Sequence, residues 1–229
     1  MTERPCPAAT SAGGGRGAEK QGTLRSHLGQ LGIPVSDGHD SAHVSPSTTA
    51  VVFSNAVLDE HAELATARRA GLPVLRRHQA LGRYAGLFGQ VVAVAGGAGK
   101  TSTSALLATI LAATSWQPTV YLGARCANLG GRNYLPGSRR LLIAEADEYM
   151  DAFLDLPRHV GILGPVMNYD HRDYFMSGQD VTDAFTAFAA GLALAVTDAD
   201  CPAARRPSSA VPPAARSRSS TSPRHPPCR

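Results

Sequence analysis

The 229 residues suffice for one large domain or one and a half ordinary ones, at roughly 100–200 residues per domain. With 43% hydrophobic and 17% charged residues the average is that of a globular chain, yet 7 of the 16 prolines crowd into 201–229, so that segment stands apart. The formal charge of +4 becomes −2 once the six arginines of that acid-free tail are set aside (+4 − 6), which leaves no basic stripe and argues against nucleic acid. The four cysteines at 6, 126, 201 and 228 form no CxxC pair, so they suggest neither a disulfide framework nor a zinc site, and a reducing cytoplasm is expected. No signal-peptide pattern opens the chain, and the longest apolar run, Ala184 to Val196, is too short and interrupted for a membrane span.

Residues 1–22, with Gly13-Gly14-Gly15 and no apolar period, read as a disordered leader. Leu24, Leu28 and Leu31 recur at helical spacing until Gly32. Val51–Phe53 lies in a buried-strand candidate, a helix is predicted through Glu60–Arg69, and Leu72–Leu75 is the next extended piece. A helix around His78–Phe88 leads to Val91–Ala95, whose continuous apolar character suits a strand covered on both faces. A helix over Thr101–Ala113 follows, then strands at Thr119–Leu122, Leu141–Ala144 and Val160–Leu163, and a helix from about Asp180 to Leu192. This alternation predicts an α/β fold with a parallel sheet and crossover helices. Residues 201–229, rich in Pro, Ser and Arg, are expected to be disordered.

Three clusters carry chemistry. Gly96-Gly97-Ala98-Gly99-Lys100-Thr101-Ser102 sits between an apolar strand and an apolar helix, the context of a phosphate-binding loop. Glycines allow backbone N–H groups to turn onto phosphate oxygens, and the helix N-terminus adds partial positive charge. Lys100 is placed to reach the β- and γ-phosphates and the Thr101 hydroxyl to help hold Mg²⁺. Val94 stands where the general GxxxxGK[ST] pattern has its first glycine. The second cluster, Glu145-Ala146-Asp147-Glu148, follows a strand directly, so its carboxylates emerge at the sheet edge where ligands bind; alone it reads equally as a solvated acidic loop. The third, Asp170-His171-Arg172-Asp173-Tyr174, offers a histidine between two aspartates as metal ligand, catalytic group or plain surface residue.

In this order and spacing the clusters resemble the Mur ligases, most closely the branch that joins L-alanine to UDP-N-acetylmuramate in peptidoglycan synthesis. The family loop reads GTxGKTT; here Gly97 and Ala98 replace Thr and His or Asn, while Gly96, Gly99, Lys100 and Thr101 are kept. Gly131-Arg132-Asn133 with Gly137-Ser138, and upstream Leu31–Val35 with Gly38-His39 and Ala70–Arg77, look like further family segments, extending the likeness over about 23–200. The resemblance implies a disordered leader over 1–22, a partial UDP-sugar-binding-like domain over 23–85, the central ATP-binding domain over 86–200 and a disordered tail over 201–229, with no counterpart of the C-terminal ligase domain. It implies ATP and Mg²⁺ as cofactors and UDP-N-acetylmuramate and an amino acid as small-molecule partners. By position, Lys100, Glu145 and His171 become the catalytic residues, Gly96 to Ser102 the nucleotide loop, Thr101 and Glu145 ligands of one Mg²⁺, and His171 of a second. The alternative left open is a remnant or regulatory module that binds Mg·ATP without turnover. Pro165 and Val166 stand where the family usually has Thr-Asn.

Overall fold

A computed structural model describes residues 25–26, 28–54, 57–166 and 174–197. The leader 1–22 and the tail 201–229, both expected to be disordered, lie outside the described residues, as do Asp170 to Asp173 of the third cluster. The chain divides into two compact units, Met1–Tyr84 and Ala85–Arg229.

The first unit contains a strand–helix–strand crossover. β1 (Val51–Phe53) pairs in parallel with β2 (Val74–Arg76), and α1 (Ala62–Arg69) connects them. Leu64 and Ala67, one helical turn apart, are buried, and this pair fixes which face of α1 turns inward. The helix ends where the sequence reading placed it: Gly71 takes a left-handed φ of 69°, and the Leu72 N–H closes back on the Ala67 carbonyl at 2.9 Å. The Arg76 guanidinium lies 5.0 Å from the Phe53 ring centroid. α2 (Arg77–Ala85) follows β2 without a gap.

The second unit is built on a six-stranded sheet. β3 (Gln90–Ala95), β4 (Pro118–Cys126), β5 (Arg132–Leu135), β6 (Ser138–Glu145), β7 (Val160–Leu163) and β8 (Leu194–Thr197) stand in the order β5-β4-β6-β3-β7-β8. All neighbouring pairs are parallel except β4 with β5, so the expected parallel α/β sheet is present with one antiparallel edge. β5 and β8 have no counterpart among the strands read from sequence. β5 carries three exposed residues of four, and β8 is a short apolar stretch with Leu194 and Val196 exposed, so neither has the buried residues of a central strand.

α3 (Lys100–Ala112) links β3 to β4, and its Ala105 and Ala108 pack with Val120, Leu122, Leu129 and Ile143. Ile143 faces that cluster, and its neighbours Leu142 and Ala144, which point the other way along the strand, are also fully buried. β6 is thus covered on both faces. α4 (Gly178–Ala190) starts at a capping box in which Ser177 and Asp180 satisfy each other's backbone N–H groups. Its Phe185 and Phe188 pack on Phe153 with ring centroids at 5.3 and 4.8 Å. Among the described residues no helix is long and apolar enough to cross a membrane.

Candidate functional site

The strand order brings three carboxyl ends together. β3 lies between β6 and β7, with Val94 opposite Glu145 and Ala95 opposite Leu163, so whatever follows each strand meets at one edge of the sheet. The segment after β3 is the glycine loop. Gly96 has φ 140° and lies so close to the chain after β7 that a Cβ there would stand 2.9 Å from Gly164 Cα, so only glycine fits. Gly99 has φ 78° and caps α3 without a side chain, leaving the first-turn N–H groups of that helix facing the loop. The Gly97 N–H donates to the Pro165 carbonyl at 2.8 Å, and the Gly164 N–H donates to Ala95 at 2.8 Å, which seats the loop against the end of β7. Ala98, Gly99 and Ser102 are exposed.

The charged groups are paired across this edge. Lys100 Nζ donates to the Gly96 carbonyl at 2.8 Å and to both oxygens of Glu148, at 3.0 and 2.8 Å. Glu148 is only 3% exposed, so the acidic run is not a solvated loop: its last carboxylate is folded inward and held by the lysine that follows the glycine loop. Breaking this pair by removing one partner strands a buried charge, which costs about 3–5 kcal/mol. Thr101 Oγ1 donates to Glu145 Oε2 at 2.9 Å, and the same oxygen accepts the Gly123 N–H at 2.8 Å. A Cβ on Gly123 would lie 2.8 Å from Glu145 Oε1, so the glycine of β4 lets the carboxylate approach the backbone. The hydroxyl of Thr101 and the carboxylate of Glu145 are adjacent hard oxygen donors, the set that suits Mg²⁺.

Of the residues assigned from sequence, Gly96, Gly97, Ala98, Gly99, Lys100, Thr101 and Ser102 form the loop and first helical turn, and Glu145 touches Thr101. His171 lies outside the described residues. The third cluster is represented by Tyr174, whose hydroxyl donates to Asp151 Oδ2 at 2.6 Å. That contact joins its end to the segment just beyond the acidic run, where Met150 and Asp151 both have φ 56°, a left-handed conformation that costs L-residues roughly 1–2 kcal/mol. Two site residues escaped the sequence reading as individuals. Glu148 was part of the acidic run, but nothing in four consecutive residues tells which carboxylate turns inward. Gly123 has no motif of its own and is recognisable only once β4 and β6 are aligned.

The family described as "Mur ligase family, catalytic domain" matches residues 13–88. A UDP-N-acetylmuramate–L-alanine ligase of Caldicellulosiruptor saccharolyticus is 36% identical over 174 residues, 76% of this chain and 38% of the relative. The enzyme of the same description from Frankia casuarinae is 41% identical over 139 residues, 61% of this chain and 27% of the relative. This chain belongs to the Mur ligase family. Among solved Mur ligases, the UDP-N-acetylmuramate-alanine ligase of Thermotoga maritima superposes with a TM-score of 0.64 at 26% identity, covering 78% of this chain and 41% of that one. The UDP-N-acetylmuramate:L-alanyl-gamma-D-glutamyl-meso-diaminopimelate ligase from Neisseria meningitides, at TM-score 0.69 and 24% identity over 79% of this chain and 61% of that one, shares the fold. The chain spans little more than a third of the length of the curated Mur ligases it matches.

Proposed function

We propose that the second unit binds Mg·ATP and that the chain represents an ATP-dependent ligase joining L-alanine to UDP-N-acetylmuramate. The observation that carries this reading is the pairing of Lys100 with Glu148 and of Thr101 with Glu145 at the end of β3, because a phosphate loop, an ammonium and two oxygen donors converge there. The relatives described as UDP-N-acetylmuramate–L-alanine ligases support the substrate pair.

In this reading the N–H groups of the loop and of the α3 N-terminus face the phosphates, and Lys100 moves from Glu148 toward the β- and γ-oxygens, where its charge offsets the charge on the transferring phosphoryl group. Thr101 and Glu145 hold Mg²⁺, which supplies further positive charge there when bound. His171 is proposed as ligand of a second ion. The muramate carboxylate takes the γ-phosphoryl to give an acyl phosphate and ADP; the amine of alanine attacks the acyl carbon and inorganic phosphate leaves, forming the amide.

A second reading, Mg·ATP binding without turnover, draws on one observation: Lys100 Nζ is already held by buried Glu148, and an ammonium that keeps this partner does not reach the γ-phosphoryl even when the loop holds the nucleotide. The test is phosphate release by the full chain with UDP-N-acetylmuramate, L-alanine and Mg·ATP, beside direct measurement of Mg·ATP binding. Alanine-dependent release supports the ligase. Binding without release supports the second reading, and absence of both overturns the two together.

A further inference from the structure

The first unit holds a cluster that the nucleotide site does not use. Glu63 stands in the first turn of α1, is 7% exposed, and is surrounded by three histidines. His39 and His43 come from the turn before β1, where Asp40 caps the short 3-10 helix Ser41–His43, and His61 is the N-cap of α1. Glu63 Oε1 lies 2.8 Å from His43 Nδ1 and 3.5 Å from His39 Nδ1, and accepts the Asp40 N–H at 3.2 Å. The rings of His39 and His61 meet edge-on, 4.4 Å between centroids at 87°. One donor atom each from His39, His61 and Glu63 falls within 4.8 Å of the others.

We propose that His39, His61 and Glu63 form a binding site for a divalent transition-metal ion of the zinc type, with His43 orienting the carboxylate. A tetrahedral ion with bonds of about 2.0–2.1 Å holds its ligands roughly 3.3 Å apart, so donors already within 4.8 Å need only side-chain rotation to converge. His39, whose side chain is 28% exposed, has that freedom and leaves a route in from solvent. Two imidazoles and one carboxylate favour zinc, nickel or copper over magnesium and calcium, which sets this site apart from the all-oxygen pair Thr101 and Glu145. Binding of the ion displaces the protons of the rings that ligate it. His43 supplies the outer hydrogen bond that such a carboxylate needs to keep its orientation. Burial pushes the Glu63 carboxyl up, but the His43 hydrogen bond, the Asp40 amide and the charges of His39 and His61 outweigh it and hold it below the usual carboxylate range, so it is ionised at neutral pH. A bound ion ties the 38–44 turn to the start of α1, a role independent of ligase chemistry.

Equilibrium dialysis of the full chain against Zn²⁺ at neutral pH, beside a competing chelator, tests this. One equivalent is expected to weaken at least tenfold in His39→Ala and in His61→Asn and to stay unchanged in His78→Ala. Zn²⁺ is expected to raise the melting midpoint of the wild type but not of His39→Ala, whose exposed position makes it the deciding variant if His61→Asn fails to fold. Zinc binding of equal affinity and stoichiometry in the wild type and His39→Ala, or no binding by the wild type, overturns the proposal.

Discussion

Lys100 Nζ stands 2.8 Å from Glu148 Oε2, and Glu148 is 3% exposed, so the ammonium that follows the glycine loop is held by a buried carboxylate just beyond the end of β6. In the proposed site a triphosphate must compete with that carboxylate for the ammonium. Glu148→Gln keeps a hydrogen-bonding side chain of the same size while removing the charge. It is expected to tighten Mg·ATP binding severalfold, read by calorimetric titration. A tenfold loss of affinity would show instead that Glu148 acts on the ligand side.

Gly123→Ala tests how Glu145 is placed. The added Cβ would lie 2.8 Å from Glu145 Oε1, and the carboxylate must shift away from Thr101. Disturbing groups that orient a metal ligand typically costs 10–100-fold in metal affinity. The Mg²⁺ concentration needed for half-maximal ATP binding is expected to rise by about tenfold, with no change in the melting midpoint larger than a few degrees. An unchanged Mg²⁺ requirement would remove Glu145 from the metal site.

Arg158 joins two segments through carbonyl oxygens. Its guanidinium donates to Leu154 and Leu156 at 3.1 and 3.0 Å, to Phe188 at 2.8 Å and to Ala187 at 3.3 Å, and stacks 4.9 Å from the Phe188 ring centroid. Burial pulls its pKa down, and among the described residues the carbonyls are what compensate the charge. Arg158→Ala leaves those carbonyls without their donor and is expected to cost about 2–4 kcal/mol, since hydrogen bonds to charged groups contribute roughly 1.5–3 kcal/mol each and do not add fully. Urea denaturation measures it; a change below about 1 kcal/mol would contradict the assignment.

The Glu63 cluster predicts an acid limb. Its folded carboxyl is held below the unfolded value, so it contributes stability that is present above the unfolded carboxylate range and lost as pH falls through the folded one. Denaturation midpoints of the wild type are therefore expected to fall on acidification through the carboxylate range. Glu63→Gln should flatten that part of the profile, and an identical slope in both would sink the prediction.

What the sequence made legible follows from how local each signal is. β3, β6 and β7 centre on apolar residues, and Gly71 stops its helix through its own chemistry, so those elements fall where pattern and punctuation put them, whereas the Ser177 capping box starts α4 two residues before the predicted Asp180. The loop 96–102 was legible because its glycines answer to backbone geometry. β5 and β8 were not, since an exposed edge strand is specified by its partner and not by its own period. Glu148, Gly123 and the histidine cluster were hidden for a related reason: His39 and Glu63 are 24 residues apart, and only the crossover β1-α1-β2 brings the turn before it onto the start of α1.

The most direct test of the nucleotide site is Mg·ATP binding by the full chain and by Lys100→Ala, measured by titration under identical Mg²⁺. The site predicts saturable 1:1 binding by the wild type and a loss of about 10–100-fold in the variant, the roughly 1.5–3 kcal/mol of a charge-assisted contact at about 1.4 kcal/mol per tenfold. Equal affinity in both, or no binding by the folded wild type, would contradict it.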